Sequence, residues 1–137
     1  MRLFIVCFVL FYSFSVVAKT NAFLNDAAAL GAIAGVAKAC QEKPKKIKDY
    51  ELIAVRLIAN KANTASQEKE GYYVYVQEKL KAERKQKNNP QMPCDEVLFR
   101  FKNMPLFESV VYRDGSLKLS DGTFLKAKRP PLKVDKK

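Results

Sequence analysis

Two cysteines, Cys40 and Cys94, bracket the longest charged stretch of this chain, and whether they are bonded decides what it folds into. Cys40 closes an alanine-rich segment, 26–40, and Cys94 opens the short apolar run Cys94-Asp-Glu-Val-Leu-Phe-Arg-Phe. The compartment decides the bond. Met1-Arg2 begins the chain with positive charge, residues 3–17 are apolar apart from Tyr12, Ser13 and Ser15, and Val16-Val17-Ala18 offers the small-residue pattern of a signal-peptidase site. Those three regions define a secretory signal peptide over residues 1–18, with an alternative cut after Ala22. Its apolar core is shorter than the roughly 20 residues a membrane span requires, so no transmembrane segment is expected after cleavage. Cys7 leaves with the signal. Two cysteines remain in an exported chain, secreted or periplasmic, and a Cys40–Cys94 disulfide is expected, with two buried thiols as the alternative. Closing a loop of that length contributes about 4 kcal/mol in the chain-entropy model, a large share of the stability of a domain this small.

The spacing of apolar residues between and around the cysteines predicts helices. Segment 26–40 is built from alanine, the strongest helix former, with Asn25 or Asp26 as the expected N-cap. Gly31 and Gly35 stand four apart and therefore share a face, which allows close approach of a second backbone. Packing inside the bundle is expected there, ahead of a membrane or oligomer seam. Pro44 and its neighbouring lysines break the pattern, and Asp49 is placed to cap the next helix. Tyr50, Ile53, Ala54, Leu57 and Ile58 form an amphipathic stripe, with a break expected near Asn63-Thr64. Residues 71–76, Gly-Tyr-Tyr-Val-Tyr-Val, have strand-like composition, but their flanks favour helix and Tyr73, Val76 and Leu80 share a helical face. A helix is expected through them. Asn88-Asn89-Pro90 forms a loop, and Pro93 precedes a last helix with Asp95 and Glu96 in its first turn, where the helix dipole favours acid. Val97, Leu98 and Phe101 are its expected buried face, and Met104-Pro105 its end.

Composition changes after this point. Residues 107–112 alternate like a strand, and two Asp-Gly turns, Asp114-Gly115 and Asp121-Gly122, separate short apolar runs at 117–119 and 123–125. The expected architecture is mainly α: a small helical bundle stapled by one disulfide over residues 23–105. A β-hairpin or meander follows over 106–127, then a disordered basic tail over 128–137.

Charge bears on function more than any motif does. The chain holds 25 basic and 14 acidic residues, no histidine and no tryptophan, for a net charge of +11. Without histidine, Cys-His and Ser-His nucleophilic pairs and the common zinc sets are excluded. No glycine-rich phosphate loop follows a strand. Acid pairs exist at Glu68/Glu70 and Asp95/Glu96, which leaves a small carboxylate hydrolase as the least supported reading. No catalytic residue, cofactor or metal ligand is assigned, and the protein is not expected to be an enzyme. Lys79, Lys81, Arg84, Lys85 and Lys87 crowd one helical segment and form the candidate binding surface. The tail residues Lys126, Lys128 and Arg129 rank lower because each must be ordered on contact. Positive charge attracts phosphate backbones, anionic lipid and acidic proteins alike. With no nucleic-acid motif beside it, nucleic acid is not the expected partner.

The signal peptide, the run Val-Ala-Lys-Ala-Cys40, and Pro93-Cys94-Asp-Glu-Val-Leu closing a charged helical stretch together resemble a loose group of proteins. These are small, Sec-exported, lysine-rich proteins of host-associated bacteria, some delivered to host cells as effectors. The likeness covers roughly residues 22–105 and lies in layout. It implies a two-cysteine helical domain with an interaction role, and it transfers no catalytic residue. The leading expectation is a secreted, non-catalytic binding protein acting on a host or envelope partner. The alternative is a resident periplasmic chaperone or envelope-polymer-binding protein.

Overall fold

A computed structural model describes residues 22–130. Residues 1–18, expected to be a signal peptide, and residues 131–137 of the expected tail lie outside the described residues. Among the described residues the chain forms α1 (Ala22–Ala39), α2 (Pro44–Lys61), α3 (Ala65–Asn88) and α4 (Cys94–Lys102). A 3-10 turn (Pro105–Glu108) leads from these into β1 (Val110–Val111), β2 (Leu117–Lys118) and β3 (Phe124–Leu125). The mainly helical, disulfide-stapled bundle with a small C-terminal sheet is the architecture its residue pattern predicts. The sheet is antiparallel in the order β1-β2-β3.

Local signals set the helix ends, though several differ from expectation. α1 is already helical at Ala22, so Asn25 and Asp26 lie inside it and do not cap it. Phe23, drawn into the core at 9% exposure, carries the helix that far back. The other end of α1 closes in a Schellman motif: Glu42 N–H donates to Ala37 O, Gln41 N–H donates to Lys38 O, and Gln41 takes a left-handed φ of 61°. That geometry holds Cys40 at the helix end. α2 starts at Pro44, whose fixed φ suits the first helical position, and Asp49 instead pairs with Lys45 one turn back. The break at Asn63-Thr64 is present, and Thr64 caps α3 by accepting from Gln67 N–H at 3.1 Å.

Residues 71–76 are helical, as their flanks indicate, but the buried stripe of α3 is another one. It runs through Glu68, Gly71, Tyr75, Glu83 and Gln86, while Tyr73 and Leu80 point outward. The glycines explain the choice. A Cβ on Gly31 would sit 2.2 Å from Tyr75 O, and one on Gly35 would sit 2.1 Å from Lys79 O. α1 thus lies backbone to backbone on the Tyr75–Lys79 side of α3. Gly71 repeats the device, leaving room for the Phe23 ring and Ile58.

α2 is the central element, packed on α3, on the 3-10 turn and on two of the strands. Its stripe of Ile47, Tyr50, Ile53, Ala54 and Ile58 is buried, with Leu57 only partly so. The Tyr50 ring lies 5.2 Å from Phe101 and 6.1 Å from Phe107, and its hydroxyl donates to Leu30 O at 2.8 Å. This cluster also corrects the expected strand over 107–112. Pro105 starts a 3-10 turn that swings Phe107 into edge contact with Phe101, leaving only Val110–Val111 as strand. Packing one aromatic against the core outweighs four more strand residues.

At the far end of α2 the sheet is pinned by one polar side chain. Asn60, 5% exposed, donates from Nδ2 to Gly115 O at 2.9 Å and to Leu125 O at 3.2 Å. Gly115 and Gly122 take φ of 89° and 87°, the values the two Asp-Gly turns require. The chain then departs from the expected disordered tail. Arg129 donates to Glu68 Oε2 at 2.6 Å and to the carbonyls of Ala59 and Ala62, and Lys128 Nζ reaches Asn63 Oδ1 at 3.3 Å. Two terminal carbonyls of α2 and one nearly buried carboxylate need donors, and Arg129 supplies them. Residues 128–130 therefore belong to the folded body.

Candidate functional site

The disulfide end of the bundle gathers the features that sequence assigns to function. Cys40, buried at the end of α1, is bonded to Cys94 at the start of α4, with their Cα atoms 5.2 Å apart. Gln86, 4% exposed on α3, organises the loop between them. Its Nε2 donates to Met92 O at 2.7 Å and lies 3.7 Å from Cys40 Sγ, and its Oε1 accepts from Gln91 N–H at 3.1 Å. Nothing in the sequence marks this glutamine. Its only signal is position, one turn beyond Glu83 on the buried stripe.

The five basic residues predicted as one surface separate into two groups. Lys79 turns inward to pair with Glu51 of α2 and is only 19% exposed. Lys87 pairs with Glu83 at 2.7 Å, and Lys38 of α1 reaches the other oxygen of the same carboxylate at 3.2 Å. The hydrogen bond from Lys87, helped by Lys38, holds the Glu83 carboxyl below its ordinary pKa despite the opposing effect of burial. These two lysines are structural. Lys81, Arg84 and Lys85 instead stand together on the exposed side of α3, at spacings of three and four residues. Lys81 makes only a loose contact with Glu78 at 3.4 Å, and Arg84 Nε donates to Leu80 O, one turn back on its own helix.

The acid pairs also come apart. Glu68 is tied to Arg129 while Glu70 is exposed, and Glu96 is held by Arg100 at 2.5 Å. Asp95 Oδ1 accepts from Glu96 N–H, a contact of the first turn of α4. Inside the bundle, Tyr75 stacks on Tyr72 at 6.3 Å and its hydroxyl has no hydrogen-bond partner among the described residues. Burial, reinforced by the Glu51 carboxylate, pushes its pKa up and keeps it neutral. Of the three adjacent tyrosines, Tyr75 is core and Tyr73 is largely exposed.

An apolar trough runs beside the disulfide. Ala32, Ile33 and Val36 of α1 form one wall, Val97 and Phe101 of α4 with Met104 just beyond it the other, and the space between them measures about 350 Å3. α1 is also long and apolar enough to cross a membrane by length and composition; here its Gly31–Gly35 face is packed on α3. No family model, curated protein or solved structure matches the chain.

Proposed function

We propose that this is an exported, non-catalytic binding protein that engages an anionic partner, protein or envelope polymer, through the exposed basic face of α3. One observation carries the reading: Lys81, Arg84 and Lys85 project side by side from a rigid helix, whereas the neighbouring lysines are spent on internal ion pairs. Side chains mounted on a folded helix lose little further order on contact, so their charge is available for recognition. The Cys40–Cys94 disulfide supports an oxidising destination, in keeping with the signal pattern of residues 1–18.

A contact of this kind is governed by screening, whose range shortens to about 8 Å at physiological ionic strength. Capture of the partner from envelope or host extract is expected to fall steeply as salt is raised. The double charge reversal Lys81→Glu with Arg84→Glu is expected to slow association about tenfold or more, the usual consequence of reversing rim charges. The same reversal at Lys136 and Lys137 is expected to change little. Capture that survives high salt and the Lys81/Arg84 reversal alike would overturn the proposal.

A further inference from the structure

The outer side of α1 is apolar and only partly covered. Only 33% of Ala22–Ala39 is buried, yet residues 27–37 carry no polar side chain. Helices that are apolar all round are normally enclosed. Here its partly covered side forms a wall of the trough against α4. A second hollow of about 260 Å3 shares Val36 and Met92 with the first and extends it to Ala82 and Lys85 of α3. The two make one open channel across three helices.

We propose that this channel is the docking site for an amphipathic helix of a partner protein, apolar at positions i, i+3 or i+4 and i+7, with acidic residues along its flanks. Shape, charge and side-chain chemistry each favour that occupant. An open channel cannot enclose most of a small ligand's surface, as a small-molecule site does, but it does accept one face of a helix. The charged side chains that line it, Arg100 in the first hollow and Lys85 in the second, are both cationic. Among the described residues Arg100 is held by its surface pair with Glu96, a bond of small net value that an incoming carboxylate exchanges readily. Met92 and Met104 lie along the channel, and methionine is the unbranched, polarisable side chain that adapts to varied apolar helices. This site meets the α3 basic face at Lys85 alone, because neither Lys81 nor Arg84 lines it.

The methionines also supply the assay, since two of the chain's three methionines line the channel. The purified disulfide-bonded protein, labelled at its methionine methyls, is titrated with synthetic amphipathic peptides of about 18 residues, five helical turns. One peptide carries glutamate flanks, a second carries lysine flanks on the same apolar face, and a third is a scramble of the first. The glutamate peptide is expected to shift the Met92 and Met104 methyls and to bind about tenfold more tightly than either control. Arg100→Glu and Lys85→Glu, both exposed and outside the core, are expected to remove that preference without loss of folding, while Lys81→Glu leaves it intact. Equal binding of the lysine peptide, or shifts absent from Met92 and Met104, would overturn the proposal. So would methyl shifts produced only by oleate, or only by self-association of the protein at high concentration. Failure of salt-sensitive capture through Lys81 and Arg84 would leave these outcomes unchanged, so the two proposals fail separately.

Discussion

The contact that most directly sets the bundle is the one between the α1 glycines and the α3 backbone, and Gly35→Ala tests it. Two effects oppose each other. Alanine is better than glycine in a helix interior by about 1 kcal/mol, so an unhindered site would be stabilised. At Gly35, however, the new Cβ would lie 2.1 Å from Lys79 O and 3.0 Å from Glu83 N. Both are backbone atoms of a continuous helix, so no side chain can rotate out of the way. Relief requires α1 and α3 to separate by about 1 Å, which costs contacts along the whole seam a quarter to a half of their dispersion energy. Ala34 and Ala37 of the same helix are both fully buried, so a shift of α1 disturbs their packing as well. Overpacking costs about 1–3 kcal/mol when side chains yield, and a backbone obstacle belongs at the top of that range. The net expectation is a loss of about 2 kcal/mol, read as a fall in Tm of about 10 °C for a domain of this size. Urea denaturation followed by circular dichroism, with the disulfide intact in both proteins, measures it. Gly31→Ala should behave alike, and the double variant should cost less than the sum because one separation relieves both clashes. A Gly35→Ala protein as stable as the parent would refute the argument, showing that α1 does not pack on α3 through this face.

Other perturbations separate the remaining stabilising contacts. Reduction, or the double substitution Cys40→Ser with Cys94→Ser, is expected to cost about 4 kcal/mol in the denaturation midpoint. Arg129→Ala leaves Glu68 nearly buried without its partner and takes a donor from the carbonyls of Ala59 and Ala62, the latter keeping a long contact from Lys128 Nζ, so a loss of about 2 kcal/mol is expected in thermal melts, whereas deleting residues 131–137 should change little. Because the Glu83 pKa is lowered on folding, its contribution is present above the unfolded-state value and is lost as pH falls through the lower folded-state value. Glu83→Gln should therefore flatten the acid limb of the stability profile, and an unchanged limb would refute the assignment. If the proposed export holds, mass spectrometry of protein recovered from the envelope or medium should find cleavage after Ala18. A cut after Ala22 would place an ammonium group at the positive end of the α1 dipole and make the core residue Phe23 the chain terminus.

Helix periodicity, the two cysteines and the Asp-Gly turns were readable because each acts through neighbours in sequence. α2 shows this well: its Tyr50-to-Ile58 stripe is buried as spaced, with only Leu57 partly exposed. α3 shows the limit. Tyr73, Val76 and Leu80 share a face as apolar residues do, yet the bundle buries the stripe through Gly71 and Tyr75, because shape complementarity to Gly31 and Gly35 outweighs hydrophobicity. The basic surface divides for a similar reason. Lys79 and Lys81 look equivalent in sequence, but Glu51 lies on α2 and meets only Lys79. Gln86, Asn60 and Arg129 carry no local signature at all, since each satisfies backbone groups on elements remote in the chain.

The disulfide and the apolar channel are linked through α4. At nine residues it is shorter than an isolated helix can sustain, and its fully buried residues are only Val97 and Phe101. What fixes its first turn is the bond from Cys94 to Cys40, and what fixes the loop ahead of it is Gln86, itself in contact with the Cys40 sulfur. One wall of the channel therefore depends on an oxidised disulfide, while the opposite wall, on α1, is held independently by the glycine seam with α3. In a reducing compartment α4 loses its covalent anchor and the channel loses its α4 wall, but Lys81, Arg84 and Lys85 stay in place on α3. Under reduction, the peptide-dependent shift at Met104 should collapse while salt-sensitive capture through α3 persists. A Met104 response unchanged by reduction would show that packing alone holds α4, and that the disulfide plays no part in shaping the channel.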